Sequence, residues 1–414
     1  MEDKGFYQEV LGLREPWEVE QVELDVPGER VTVHLTHKDD CRWPCPECGQ
    51  EWACYDHCAE RTWRHLDTCQ LKTYLVARVP RVKCKEHGVR QVRIPWAEPG
   101  GRFTLLFERL AIDILQACQT VTSACQILRI SWDQAWGVLE RAVARGQARK
   151  EPEPISEIGV DEKAFRKGHD YMTVVCDIEK GVVEYVSEGR DKESLRSFFA
   201  SRTPAQLEGI EAIAMDMHEP YVQATLEELS LAADKIVYDR FHIMQHMTKA
   251  VDLVRRQEHK RLLGEDDDRL KGTKYLWLKN QENLSDSRRE ELDAIFSRNL
   301  QTGRAWAIKE SLRDLWHHES VSEAKEYFQG WYSWAIRSRL EPVKKVARMI
   351  KRRIDNVVSY CRHWITNAVS EGLNSKIMSI KRRAGGFRNR ENFKTVIYFY
   401  CGGLDLYPDG EYPH

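Results

Sequence analysis

A chain of 414 residues is long enough for two to four domains. Its 31% charged and 42% hydrophobic residues are ordinary for a soluble globular protein, and a formal net charge of −2 excludes a globally basic nucleic-acid binder. No apolar run approaches the ~18–20 residues of a membrane span, and the first residues, MEDKGFYQEVLGL, lack a signal-like apolar core, so no membrane partner and a cytoplasmic location are expected.

Seven of the twelve cysteines, Cys41, Cys45, Cys48, Cys54, Cys58, Cys69 and Cys84, fall in the first quarter of the chain. In a reducing compartment such clustering points to metal ligation rather than to disulfides. Val22, Leu24 and Val26, then Val31, Val33 and Leu35, alternate with polar residues around Pro27-Gly28, which predicts a hairpin. Cys45-Pro-Glu-Cys48-Gly follows, and Cys84-Lys-Glu-His87-Gly comes after a strand-like run, Tyr74 to Val82. Two such knuckles predict a tetrahedral Cys3His site of zinc-ribbon type, with Zn2+ structural because no coordination position is left open. The separation of the knuckles is long, so Cys54, His57, Cys58, His65 and Cys69 remain rival ligands. Between Arg61 and Arg93, nine Lys and Arg face two acids, a ribbon suited either to phosphate contacts or to plain solvation.

Pro95, Pro99, Gly100 and Gly101 mark a boundary. Helical periodicity then begins at Phe107, resumes near Ser123, and starts a third time after Ser131, an N-cap for a helix burying Trp136, Leu139 and Val143. The tight Leu128–Ser131 connection suits a helix-turn-helix as well as a plain helical linker. Lys150-Glu-Pro-Glu-Pro154 leads into the next domain.

Residues 155–161 (ISEIGVD) and 210–216 (IEAIAMD) are apolar runs that each end in an acid, Asp161 and Asp216. Strand runs at 171–175, 182–186 and 235–238, with helices at 191–200 and 221–229, complete the order β-β-β-α-β-α-β of a ribonuclease-H-like α/β core. That topology places the first and fourth strands side by side, so Asp161 and Asp216 should meet. Two adjoining carboxylates repel unless cations neutralise them, and hard oxygen ligands suit Mg2+ or Mn2+ poised to attack a phosphodiester.

Asp239-Arg-Phe-His242 follows the last strand, and His242 and His246 lie four apart; they either bind a metal or, the better reading, orient the carboxylates or pack under the site. The region to Tyr360 reads as wholly helical; its tryptophans, Trp277, Trp306, Trp316, Trp331 and Trp334, fit core packing better than base stacking. Arg337 to Arg362 holds nine Lys and Arg against two acids, suited to a phosphate backbone.

Near the C-terminus, Asn367, Glu371 and Asn374 share one helical face, while Leu373, Ile377 and Ile380 form another that would pack on the sheet. Lys376, Lys381, Arg382, Arg383, Arg388 and Arg390 follow with no intervening acid, a candidate clamp for DNA.

The segments CPECG, RVKCKEHGVRQV, VDEKAF, MDMHEPY, DRFHIMQHM and NAVSEGLNSKIMSIKRRAGGFRN resemble the DDE transposases of bacterial insertion sequences, and more narrowly their ISL-three family. The resemblance covers nearly the whole chain. It implies a triad of Asp161, Asp216 and Glu371 binding Mg2+ or Mn2+, with Asp239 and His242 in support as a D-x-x-H signature; Asn367 and Asn374, on the helical face of Glu371, are the further supporting candidates. It implies a multidomain α+β architecture: a zinc-binding domain over 1–100, a helix-turn-helix over 101–150, a ribonuclease-H-like core over 151–242 and 362–400, and an all-helical insertion over 243–361. The expected activity is metal-dependent cleavage at transposon ends and strand transfer into target DNA. Partners would be double-stranded DNA, as terminal inverted repeats and target, and a second copy of the chain in a homodimer or larger assembly; a nucleoid-associated location follows. A non-catalytic DNA-binding regulator and a nuclease of the same fold are the alternatives.

Overall fold

The computed structural model describes residues 3–118, 120–166, 170–296, 300–365 and 368–410. Two compact units emerge. One comprises residues 1–151 with 380–386 and 391–414; the other comprises 152–379 with 387–390.

The first unit opens with the helix Asp3–Val10 and continues with eight strands: β1 (Trp17–Asp25), β2 (Arg30–His37), β3 (Arg42–Pro44), β4 (Glu51–His57), β5 (Arg61–Arg64), β6 (Lys72–Ala77), β7 (Pro80–Cys84) and β8 (Gly88–Gln91). They form two four-stranded sheets, ordered β1-β2-β6-β5 and β3-β4-β7-β8. The predicted hairpin is present, with Val22 opposite Val33. Val31, Val33 and Leu35 enter a core around Trp17, Trp43, Trp63 and Trp96, whereas Leu24 and Val26 are exposed. A bulge between Val19 and Gln21 separates the buried from the exposed part of β1.

Three helices follow in the same unit, Leu105–Ala117, Val121–Leu128 and Trp132–Arg149. Between the second and third, Arg129 adopts a left-handed conformation (φ 54°), and Ser131 caps the third helix reciprocally with Gln134. Trp136, Leu139 and Val143 are buried, as their spacing requires. The C-terminal segment packs here: Tyr400 donates to the Leu115 carbonyl at 2.7 Å and Tyr407 to Asp113 at 2.6 Å. Gly146 permits this approach, because a Cβ there would stand 2.7 Å from Leu404 Cβ.

The second unit is built on β9 (Glu157–Arg166), β10 (Asp170–Asp177), β11 (Val182–Glu188), β12 (Ala212–Met215) and β13 (Ile236–Tyr238), ordered β11-β10-β9-β12-β13. The first three strands are antiparallel and the last two parallel to β9, the ribonuclease-H-like order. Helices Lys192–Ala200 and Glu219–Glu228 supply the crossovers. Asp161 was expected at the end of its strand, but β9 runs on to Arg166 because β10 keeps pairing with it. Only the β12 side of β9 stops early, at Gly159 opposite Ala214.

From the helix Arg240–Leu263 to His363 the described residues contain helices and no strand. Trp277, Trp306, Trp316 and Trp331 are buried in this part and Trp334 is exposed, so packing accounts for four of the five tryptophans. The helix Ala368–Arg383 then returns to the sheet. Among the described residues no helix is long and apolar enough to cross a membrane.

Candidate metal centres and nucleic-acid interface

The zinc-ribbon ligands are brought together as the knuckles require. Cys48 Sγ lies 3.8 Å from Cys84 Sγ, and His87 Nδ1 lies 3.6 Å from Cys84 Sγ and 3.9 Å from Cys45 Sγ. Tetrahedral zinc, with bonds of about 2.3 Å to sulfur and about 2.0 Å to nitrogen, holds its ligands about 3.5–3.8 Å apart, so the donor set fits that ion. Each knuckle ends in a glycine of left-handed backbone, Gly49 (φ 74°) and Gly88 (φ 70°). Burial pushes the Cys84 thiol up, but hydrogen bonds from His87 and the Glu86 backbone outweigh it and bring the thiol to about 6. The far nitrogen of His87 faces Glu47 at 3.5 Å, a carboxylate that fixes the ring. Among the described residues this is the one group of three or more such ligands within 4.8 Å of each other. The rivals lie elsewhere: Cys58 faces Gln91, Cys69 is exposed, and His65 is buried against Thr104 with its pKa held down to about 4 by burial and by Arg64.

The acids lie toward the C-terminal ends of the parallel strands β9, β12 and β13 of the five-stranded sheet. β12 pairs with β9 as Ala212–Glu157, Ile213–Ile158 and Ala214–Gly159; continued two residues past its last pair, this register runs to Asp216 and Asp161, and Asp161 helps raise the Asp216 pKa. β13 pairs with β12 up to Met215–Tyr238, so the next residue, Asp239, comes beside Asp216; its amide donates to Met215 O at 2.9 Å. Strand β9 thus carries Asp161, and the ends of its parallel neighbours β12 and β13 deliver Asp216 and Asp239 side by side. The helix Ala368–Arg383 brings Glu371, burying Ser370, Leu373, Asn374 and Ile377 on its inner side, with Ile380 half-buried. Ser370 Oγ meets Cys176 Sγ on β10 at 3.0 Å, and the side-chain amide of Asn374 donates to Asp161 Oδ2. Asn367 lies outside the described residues.

Electrostatics show that the acids feel one another. Burial raises the Asp216 pKa, Asp161 raises it further, and His242 and His218 oppose. Burial likewise raises that of Glu371, with Asp239 and Asp161 adding to it. Asp239 is buried and accepts from the Phe241 amide at 3.0 Å and from His242 Nδ1 at 2.8 Å, and that hydrogen bond raises the His242 pKa. His246 is shifted the other way, by burial and then Lys249. Asp161, Asp216 and Glu371 do not all come within 4.8 Å of one another.

Two neighbours were not singled out from the sequence. Lys163 Nζ lies 3.2 Å from Asp161 Oδ2; its position two residues along the same strand, hence on the same face, was the available signal. Glu162 has a buried carboxylate oxygen, Oε2, without a hydrogen-bond partner, and burial, Asp216 and Asp161 all raise its pKa.

Of the basic run, Lys376 is exposed, Lys381, Arg382 and Arg383 occupy the last turn of the helix, and Arg388 is exposed beyond it. The Arg390 guanidinium pairs with Asp170 at 3.0 Å and Glu188 at 2.6 Å.

The comparisons with known proteins agree with this architecture. A transposase model of the ISL3 type (DDE_Tnp_ISL3) matches residues 158–397, more than half of the chain. The chain belongs to the ISL3 family of transposases. A zinc finger of the transposases IS204/IS1001/IS1096/IS1165 matches residues 42–87, and a helix-turn-helix domain of transposase family ISL3 matches residues 92–143. The chain is also 28% identical over 435 residues to the transposase for insertion sequence element IS1557 of Mycobacterium tuberculosis, covering 97% of this chain and 96% of that one. It is 28% identical over 398 residues to the transposase for IS1001 of Bordetella parapertussis, covering 94% and 96%. The architecture is thus a zinc ribbon, a helix-turn-helix and a DDE transposase domain, and the first two are DNA-binding modules.

Proposed function

We propose that this ISL3-family transposase binds the ends of its insertion sequence and catalyses DNA cleavage and strand transfer, with Asp161, Asp216 and Glu371 as the catalytic, metal-holding acids. The assignment is supported by the β9–β12 register, which continued past its last pair runs to Asp161 and Asp216, together with the Asn374–Asp161 hydrogen bond that brings in the helix of Glu371.

The donor chemistry fits Mg2+ or Mn2+: the carboxylates are hard oxygen ligands, partly buried, and raise one another's pKa. Bound there, such ions would activate the attacking oxygen and stabilise the leaving one at a phosphodiester. The chain's own residues do the positioning. Asn374 and the Glu162 amide, 2.7 Å from Oδ1, fix the Asp161 carboxylate. Asp239 holds the His242 ring beside Asp216. The cations Lys376, Lys381, Arg382, Arg383 and Arg388 contact DNA phosphates; Arg390, paired with two acids, contributes by holding its segment. In this reading residues 1–100 and 101–150 recognise the ends, 151–242 with 362–400 form the core, and 243–361 are an insertion. Joining two ends requires a homodimer or larger assembly on DNA, and a nucleoid-associated cytoplasmic location follows.

A strand-transfer assay with Mg2+ and a duplex carrying the element's ends tests the assignment. Wild type should cleave and join, and Asp161→Ala, Asp216→Ala and Glu371→Ala should each abolish both steps. Activity surviving any of these changes removes that acid from the triad. Binding without cleavage by wild type favours a regulator, and cleavage without joining favours a nuclease.

A further inference from the structure

The helix Glu341–Lys351 buries Val343, Val346, Ala347 and Ile350, packing against the helices Arg240–Leu263 and Val321–Arg337. Its other side exposes Lys345, Arg348 and Lys351, and Arg352 follows, also exposed. Positions 345, 348 and 352 share one face, at spacings of three and four. Glu341 pairs with Lys344 and reaches Arg348 at 3.7 Å; among the described residues no acid stands within ion-pairing distance of Lys345, Lys351 or Arg352.

The helix dipole favours Arg348 and Lys351 in the last turn, but it gives Lys345 no such support. Like charges at these spacings destabilise a helix, so the face does not serve helix stability. Its shape is concave: Tyr332 with Lys345, Arg348, Lys351 and Arg352 lines a depression of about 430 Å3, and Lys351 Nζ lies 4.6 Å over the Tyr332 ring. Cations spaced along one face, of which only Arg348 has an acid within ion-pairing distance among the described residues, match a regularly spaced polyanion.

The surface is tied to the acidic site through its own chain. Beyond Arg352, Asn356 and Ser359 donate to the Ile236 carbonyl at 3.2 and 2.8 Å. Ile236 opens β13, whose end delivers Asp239. The backbone path from Arg352 to Asp239 through that bond is on the order of 20 Å, at about 1.5 Å per helical and about 3.3 Å per strand residue. One turn of duplex DNA rises about 34 Å.

We propose that Lys345, Arg348, Lys351 and Arg352 form a second DNA surface, gripping the phosphate backbone of a duplex within one helical turn of the phosphate at the acidic site. The placement rests on Asp161, Asp216 and Glu371 being the reacting site; the phosphate binding does not.

The test uses the full chain and an end-bearing duplex, with binding measured across salt concentrations in an Asp161→Ala background, where no cleavage is needed. Replacing Lys345, Arg348 and Arg352 together by Gln should flatten the plot of log K against log salt, by about 0.9 for each phosphate no longer neutralised. Affinity near 0.2 M salt should fall at least tenfold with thermal unfolding unchanged. Arg348→Lys with Arg352→Lys and Lys345→Arg should keep the wild-type slope. A crosslinker on Arg348→Cys should mark DNA within about ten base pairs of the scissile phosphate. An unchanged slope in the Gln variant overturns the surface, and crosslinks confined to more distant DNA overturn its placement. If wild type fails to cleave yet the slope flattens, the catalytic assignment falls while the phosphate surface stands.

Discussion

Asn374 donates its side-chain amide to Asp161 Oδ2, joining the helix that carries Glu371 to the central strand of the five-stranded sheet. Asn374 lies one turn beyond Glu371 and is buried, so the bond sets both the Asp161 carboxylate and the approach of Glu371. Lys163 and the Glu162 amide still hold Asp161 if the bond is lost, so the fold should survive. Asn374→Ala should therefore slow strand transfer about 10–100-fold, the usual effect of losing a residue that orients a metal ligand, and raise the Mg2+ needed for half-maximal rate. Asn374→Asp should be worse, because it sets a further negative charge against Asp161. Single-turnover cleavage across Mg2+ concentrations checks this; wild-type rates in Asn374→Ala would show that Lys163 and the Glu162 amide suffice.

The raised carboxyl groups predict how stability depends on pH without metal. Burial and the neighbouring acids lift Asp216 and Glu371 above the ordinary carboxylate range. Their neutral forms contribute stability that is fully present below the unfolded value of about 4 and lost as pH rises through the raised folded value. Metal-free protein at pH 7 should thus carry an electrostatic penalty that Asp216→Asn removes, since an amide oxygen can still accept from the His218 backbone. The variant should melt higher than wild type at pH 7 and alike near pH 3.5. Mg2+ should raise the melting temperature of wild type at pH 7 far more than that of the variant. A lower melting point for metal-free Asp216→Asn at neutral pH contradicts the penalty.

What the sequence revealed and what it hid follow from the range of the interactions involved. Apolar runs closed by Asp161 and Asp216 exposed both strands, because a buried parallel strand must be continuous in apolar residues. The order of the strands then determined their pairing. Ser131 signalled its helix because a cap acts locally. Asp239 was read only as a signature beside His242; its place in line with Asp161 and Asp216 depends on the β12–β13 register, a non-local property. The engagement of Arg390 was likewise hidden, since Asp170 and Glu188 lie some two hundred positions away in sequence. Strand β9 outran its apolar segment because β10 supplies partners that composition does not show.

The ribbon should contain one zinc per chain, bound by Cys45, Cys48, Cys84 and His87, and its folding should depend on that ion. Structural zinc in small fingers contributes about 10–16 kcal/mol near neutral pH, more than two short sheets could replace. Cys84→Ser should release the zinc and abolish end binding, whereas Cys58→Ser and Cys69→Ser should keep one equivalent, as those thiols lie outside the cluster. Metal analysis of purified protein, with amide exchange of the strands around Cys45 and Cys84, checks both statements. Full zinc content in Cys84→Ser would require another ligand set.

Arg145 anchors the helix-turn-helix to its surroundings within the same unit. Its guanidinium reaches Glu98 and Glu108 at 2.8 Å and the Leu406 carbonyl at 2.5 Å; Glu108 is buried and Arg145 half-buried. Removing one member of a buried charged set strands the others, at about 3–5 kcal/mol. Arg141 also reaches Glu108, at 2.9 Å, so Arg145→Ala should cost near the lower end, about 3 kcal/mol. That corresponds to a fall of about 6–12 °C in the melting of a unit of this size. Lys cannot match the guanidinium fork toward three acceptors, so Arg145→Lys should recover little. Replacing Arg145 by Met together with Glu108 by Leu should recover most of the loss, because the penalty comes from the stranded charge and not from the missing pair. Thermal melts followed by circular dichroism, read with exchange of the helices at 105–149, separate the outcomes; if Arg145→Ala melts like wild type, Arg141 alone neutralises Glu108.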